Sequence, residues 1–161
     1  MANPDRPNGA QPKGEARRAR EYTAGARVFQ GDWVHLEDDG KVDPAVAAEA
    51  LQGVALSYAD ADGDKVLISD HPDQEYTCQA DEADIDAQTD IGLNYNIVAT
   101  AGDTTYNRSR MELDSSSGGI GATLQLRLLA LEPRTDNALG AQAEVVVTIN
   151  NAQLGKNTVG L

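Results

Sequence analysis

From residue 28 onward, apolar and polar positions alternate mostly with a period of two, the pattern of half-buried β-strands. In TLQLRLLAL, Leu124, Leu126 and Leu128 share one face, while Gln125 and Arg127 point to the other. In AQAEVVVTIN the inward set is Ala143, Val145, Val147 and Ile149, opposite Gln142, Glu144 and Thr148. Shorter runs precede these: Val34 and Leu36; Val54, Leu56 and Tyr58; Val66 and Ile68; Tyr76, Cys78 and Ala80; and Ile91, Leu93, Tyr95 and Ile97, with Asn94 and Asn96 on the opposite side. Turn-rich joints separate them, at DDGK (38–41), ADADGD (59–64), SSSGGIG (115–121) and EPRTDNALG (132–140). The pattern predicts seven or eight strands. One helix is predicted, over DPAVAAEAL, with Asp43 as N-cap and Pro44 in the first turn, closing one end of a barrel or sandwich.

The N-terminus breaks the alternation. The stretch MANPDRPNGAQPKGEARRAREY is rich in Pro, Gly, Asn and Gln and has almost no large apolar residue, which predicts a flexible basic arm over residues 1–25 that folds on a partner. A single β-rich domain over 26–161 follows. A disordered solubilising tail is the alternative for the arm.

Composition adds two constraints. The 161 residues contain only 32 Leu, Ile, Val and Phe against 24 Ala, a thin supply of core for this length, so oligomerisation or docking is expected to supply part of the stability. Asp and Glu outnumber Lys and Arg by 26 to 13, yet residues 1–27 carry six basic and three acidic side chains, which leaves −16 on the rest. An acidic body without aromatics interleaved among its arginines argues against nucleic acid, and a basic arm facing a protein assembly is electrostatically simpler. No run of eighteen apolar residues is present, and the N-terminus carries charge where a signal peptide needs an apolar stretch, so a soluble protein without membrane contact is expected.

Candidate chemistry is sparse. Cys78 is the only cysteine, which excludes an intrachain disulfide and points to a packing role. Asp60, Asp62 and Asp64 offer three carboxylates in five residues, but Gly63 is fourth where an EF-hand needs it sixth, and no Glu stands twelfth; an Asp-Gly turn accounts for the same residues, with calcium binding of another type as the alternative. Asp81, Glu82, Asp84, Asp86 and Asp90 form a second acidic run, expected to be a surface excursion pinned by Ile85. Asp70 and His71 are adjacent and point apart in an extended chain, and His35 stands alone beside Trp33; neither histidine is expected to catalyse. Catalytic residues, cofactors and metals are all expected to be absent.

The order of features GARVFQGDWVHLEDDGKVDPA (25–45), LQGVALSYADADGDKVLISDHPDQEYTCQA (51–80), DIGLNYNIVATAGDTTYNRSRMELDSSSGG (90–119) and LLALEPRTDNALGAQAEVVVTIN (128–150) resembles the capsid decoration, or cement, proteins of tailed phages. The shared signals are Gly31-Asp32 before a short apolar strand, Gly53-Val54-Ala55, and Gly63-Asp64-Lys65-Val66, within a resemblance covering about residues 25 to 152. It implies an all-β body, a small β-barrel or β-tulip, usually trimeric. It further implies a place on the outer capsid surface of the virion, where the major capsid protein is the partner and neighbouring capsomers are clamped against DNA pressure. On this reading the arm residues Arg6, Lys13, Arg17, Arg18, Arg20 and Tyr22 contact the capsid. The alternative function is a virion surface-binding module, such as a head-fibre base or a glycan-binding or host-attachment domain; a small β-barrel enzyme using the Asp clusters is a third.

Overall fold

A computed structural model describes residues 3–82, 85 and 87–155. Of the acidic run, Asp84 and Asp86 lie outside the described residues. The fold is all-β: the helical turns among the described residues are two 3-10 turns, Gln88–Asp90 and Ser115–Ser117.

Among the described residues, twelve strands form two five-stranded antiparallel sheets and one two-stranded ladder. The first sheet has the order β1 (Gln11–Pro12), β7 (Glu75–Gln79), β12 (Glu144–Ile149), β11 (Leu126–Leu131), β8 (Asn94–Tyr95). The second runs β2 (Ala19–Thr23), β6 (Lys65–Ser69), β5 (Gly53–Ala55), β3 (Trp33–Leu36), β4 (Val42–Pro44). The short ladder joins β9 (Ile97–Val98) to β10 (Glu112–Leu113). Among the described residues no closed barrel is found, which corrects the barrel expectation. Closure needs an unbroken ring of strand pairs. Here β1 and β8 end the first sheet and β2 and β4 the second, and beyond β4 and β8 the pairing continues as single bridges, Ala24 to Val42 and Asn94 to Gly119.

The two sheets share one core. Trp33 and Val54 from the second sheet pack with Tyr76, Cys78, Leu126, Leu128, Val145 and Val147 from the first. Trp33 meets Tyr76 edge to face with ring centroids 5.2 Å apart. The alternate positions of the second sheet are also covered: Val34, Val42, Ala55, Val66 and Ile68 form a second cluster with Ala24, Val28 and Ala59. Using both faces of one sheet lets short strands with small side chains bury enough surface.

The predicted helix is absent. Val42 to Pro44 pair with Leu36 to Val34 as β4, and the Ala45 amide donates to the Trp33 carbonyl at 2.8 Å. Residues 46–49 make a tight turn, with Ala48 at φ 71°, outside the helical region. Two helical turns are marginal alone, whereas an extra strand satisfies the same backbone groups against β3.

The flexible arm is also corrected. Residues 3–23 lie along the body and form an edge of each sheet: β1 pairs with β7, and β2 pairs with β6 over five residues, Ala19 opposite Ser69 through Thr23 opposite Lys65. Ala10 is buried in the shared core. The segment lacks large apolar side chains, but strand pairing draws on backbone groups that every non-proline residue carries.

Candidate functional site

The alternation of β2 sends Arg18, Arg20 and Tyr22 to one side of the strand, and all three meet the carboxylate of Asp70. Arg18 Nε donates to Oδ1 at 2.7 Å and its other guanidinium nitrogen to the Asp70 carbonyl at 3.0 Å. Tyr22 Oη donates to Oδ2 at 2.6 Å and accepts from Gln52 Nε2 at 2.7 Å; Arg20 Nε lies 3.6 Å from Oδ2. The Asp70 side chain is fully buried. Burial raises the Tyr22 pKa, and its bond to the Asp70 carboxylate adds to the rise. A buried carboxylate is tolerated because it is paired and hydrogen-bonded on both oxygens. Three residues expected to reach a partner therefore hold their own strand against the fold.

Amide side chains fasten the rest of the segment. Gln79 Oε1 accepts the Arg6 amide at 2.9 Å while Nε2 donates to the Pro4 carbonyl at 2.9 Å, copying a strand partner. Gln74 Oε1 accepts the Arg17 amide at 2.7 Å. Asn3 donates to the carbonyls of Ala138 and Ala141 and accepts the Ala138 amide. Lys13 Nζ bonds Glu132 at 2.7 Å. Arg6 and Arg17 are exposed, and the Arg20 side chain keeps 53% of its surface.

Between this segment and the first sheet lies a recess of about 270 Å³ lined by Arg6, Cys78, Gln79, Arg134, Asp136 and Glu144, among others. Its charges compensate each other: Arg134 bonds both Asp136 and Glu144. Burial pushes the Cys78 thiol up to about 12, so it is a packing residue rather than a nucleophile at neutral pH.

Elsewhere the acidic residues are spread out. Asp60 pairs with Arg27 at 3.1 Å and Asp62 with Lys41 at 2.7 Å, while Asp64 Oδ2 accepts the amides of Asp60 and Ala61. This is the self-bonded turn that the Asp-Gly spacing predicts. Asp81 Oδ1 accepts both the amide and the hydroxyl of Ser115, and Asp90 Oδ2 accepts the Ala87 amide; Ile85 is fully buried, pinning the excursion as expected. His71 Nδ1 accepts the Asp73 amide and does not engage Asp70.

Three titratable groups escape a reading by sequence. Asp32 is buried, Oδ2 accepting the Phe29 amide at 2.9 Å, and burial pushes its pKa up to about 6. Glu112 is pushed up to about 7, first by burial and then by the charges of Asp5 and Asp81. His35 is not alone: Glu37 and Glu49 converge on it. Asp32 and His35 each have one partner close in sequence, Phe29 and Glu37, but the burial of Asp32 and the approach of Asp5, Asp81 and Glu49 come from other parts of the chain and leave no local signal.

The chain matches no protein-family model and no curated protein. Among the described residues, no helix is long and apolar enough to cross a membrane.

Proposed function

We propose that this protein is a non-enzymatic capsid decoration protein that binds the major capsid protein on the outer surface of a phage head, as a homotrimer, and clamps neighbouring capsomers. The observation that carries this reading is the placement of the N-terminal segment. It lies fixed along the edges of both sheets and holds the exposed cations Arg6, Arg17 and Arg20 on a body of net charge −16. A cationic strip already held in place loses less freedom on docking than a free tail, and its attraction to an acidic shell weakens with salt. The outer edge of β2 adds a second means of attachment, since an edge strand can accept a strand from a partner. Many copies on a lattice then turn a modest single-site affinity into a firm mechanical brace.

The deciding experiment compares tailed-phage particles assembled with and without this protein. Higher rupture temperature in the decorated particles is the expected result. Equal rupture temperature together with lost adsorption to cells would overturn the clamp in favour of a surface-binding module.

A further inference from the structure

We infer that His35, Glu37 and Glu49 form a binding site for one divalent transition-metal ion, independent of the capsid surface proposed above. The alternation of β3 places His35 and Glu37 on the same side of the chain, and the turn after β4 brings Glu49 to them. One ligand atom from each residue lies within 4.8 Å of the other two. Tetrahedral ligands on bonds of about 2.1 Å sit about 3.4 Å apart, so closing on an ion takes a contraction of at most roughly 1.4 Å, within the reach of two glutamate side chains.

The imidazole is set up for this role by a contact outside the cluster. His35 Nδ1 lies 2.6 Å from the Ala50 carbonyl oxygen, which can only accept, so Nδ1 is the donor there and Nε2 is the nitrogen left to offer a lone pair to an ion when the ring is neutral. A backbone carbonyl on the far ring nitrogen is the usual way a metal-binding histidine is oriented. Ala50 follows Glu49 directly, so one turn positions both the imidazole and a carboxylate. That turn is braced in its own right, Glu49 Oε2 accepting the Val46 amide at 2.9 Å.

The two carboxylates have no ion-pair partner among the described residues, the nearby Lys41 amine being committed to Asp62 at 2.7 Å. All three side chains are partly buried, so the two negative charges are less screened than those of the exposed Asp38 and Asp39. A divalent cation neutralises them. The nitrogen ligand selects zinc and its neighbours over calcium and magnesium, and three protein ligands leave the remaining positions to water. Both hydrophobic clusters are complete without any of the three residues, so the ion adds to a formed fold rather than creating it.

The test is isothermal titration of the tag-free full chain with zinc chloride after dialysis against chelator. One zinc per chain is expected, with affinity reduced at least tenfold in His35→Ala and in Glu49→Gln. Asp60→Asn, in the exposed acidic turn, should bind as the parent does, and magnesium should give no heat. Cobalt added in place of zinc should give visible absorption bands that His35→Ala removes. Absence of stoichiometric zinc binding, or binding equally strong in His35→Ala, overturns the site. If circular dichroism shows that His35→Ala is unfolded, Glu37→Gln takes its place with the same two outcomes.

Discussion

The Arg18 guanidinium and the Asp70 carboxylate meet at 2.7 Å across fifty-two positions of sequence, one side chain one-third exposed and the other fully buried. The pair ties an edge strand to the end of β6 and, through Tyr22 and Gln52, to the residue preceding β5. Replacing Asp70 by Ala strands a guanidinium and removes the acceptor of the Tyr22 hydroxyl. The expected loss is about 2 kcal/mol, below the cost of breaking a fully buried pair because Arg18 retains some water. Urea unfolding of Asp70→Ala measures it, and a loss under about 0.5 kcal/mol would reduce the contact to a surface ion pair.

Removing residues 2–22 takes away one edge strand and most of another, together with the buried Ala10. The truncated chain is expected to melt on the order of 10 °C lower than the full chain in scanning calorimetry. An unchanged melting temperature would make the segment a passive attachment despite its pairing.

Gly53 begins the central strand β5, and a Cβ there would lie 2.0 Å from the Ser69 carbonyl oxygen, a backbone atom of the neighbouring β6. Relief requires β5 and β6 to separate where Val54 pairs with Ser69. Gly53→Ala is expected to cost about 3 kcal/mol, read by chemical denaturation, whereas Gly40→Ala, in the open turn between β3 and β4, meets no atoms within 4 Å and should lose only the strain of its φ of +81°.

Glu112 has its folded pKa raised from 4.5 to about 7, so the native state binds more protons than the unfolded chain between those values. Stability is therefore expected to fall as pH rises from about 4.5 to 7 and to change little from this group below that window. Because the carboxyl is only partly buried, solvent screening reduces the effect to the order of 1 kcal/mol. Urea unfolding at both ends of the window should show a smaller change of stability with pH for Glu112→Gln than for the parent; equal changes would show that the Glu112 carboxyl is not shifted upward in the native state.

Trp33 is fully buried between the sheets against Tyr76. Trp33→Leu keeps an apolar filling but empties part of the space and loses the edge-to-face contact, for an expected cost of about 3 kcal/mol. A Trp33 fluorescence maximum typical of solvent-exposed indole in the native protein would contradict this placement.

Period-two alternation by itself determined that the body is all-β and which side of its longest strands is buried, although the described residues form twelve short strands where the pattern predicts seven or eight. Ala143, Val145, Val147 and Ile149 are buried as a set, and so are Tyr76, Cys78 and Ala80, because a pleated chain has only two faces and the apolar one must leave water. The Asp60 to Asp64 turn was equally legible, since Asp-Gly chemistry acts within a few residues. Sequence did not reveal that Gln125, expected on the polar face, is wholly buried, its side-chain amide donating to the carbonyls of Val46 and Glu49 and accepting the Ile97 amide. Only the tertiary structure could supply those partners, from 28 to 79 positions away. For the same reason the N-terminal segment read as a free arm: its stability comes from backbone pairing and from Asp70, Gln74 and Gln79, none of which leaves a mark on residues 3–23 themselves. The His35, Glu37 and Glu49 cluster follows this rule too, because a ligand set is a property of distances in space, and folding the turn after β4 back onto β3 decided it.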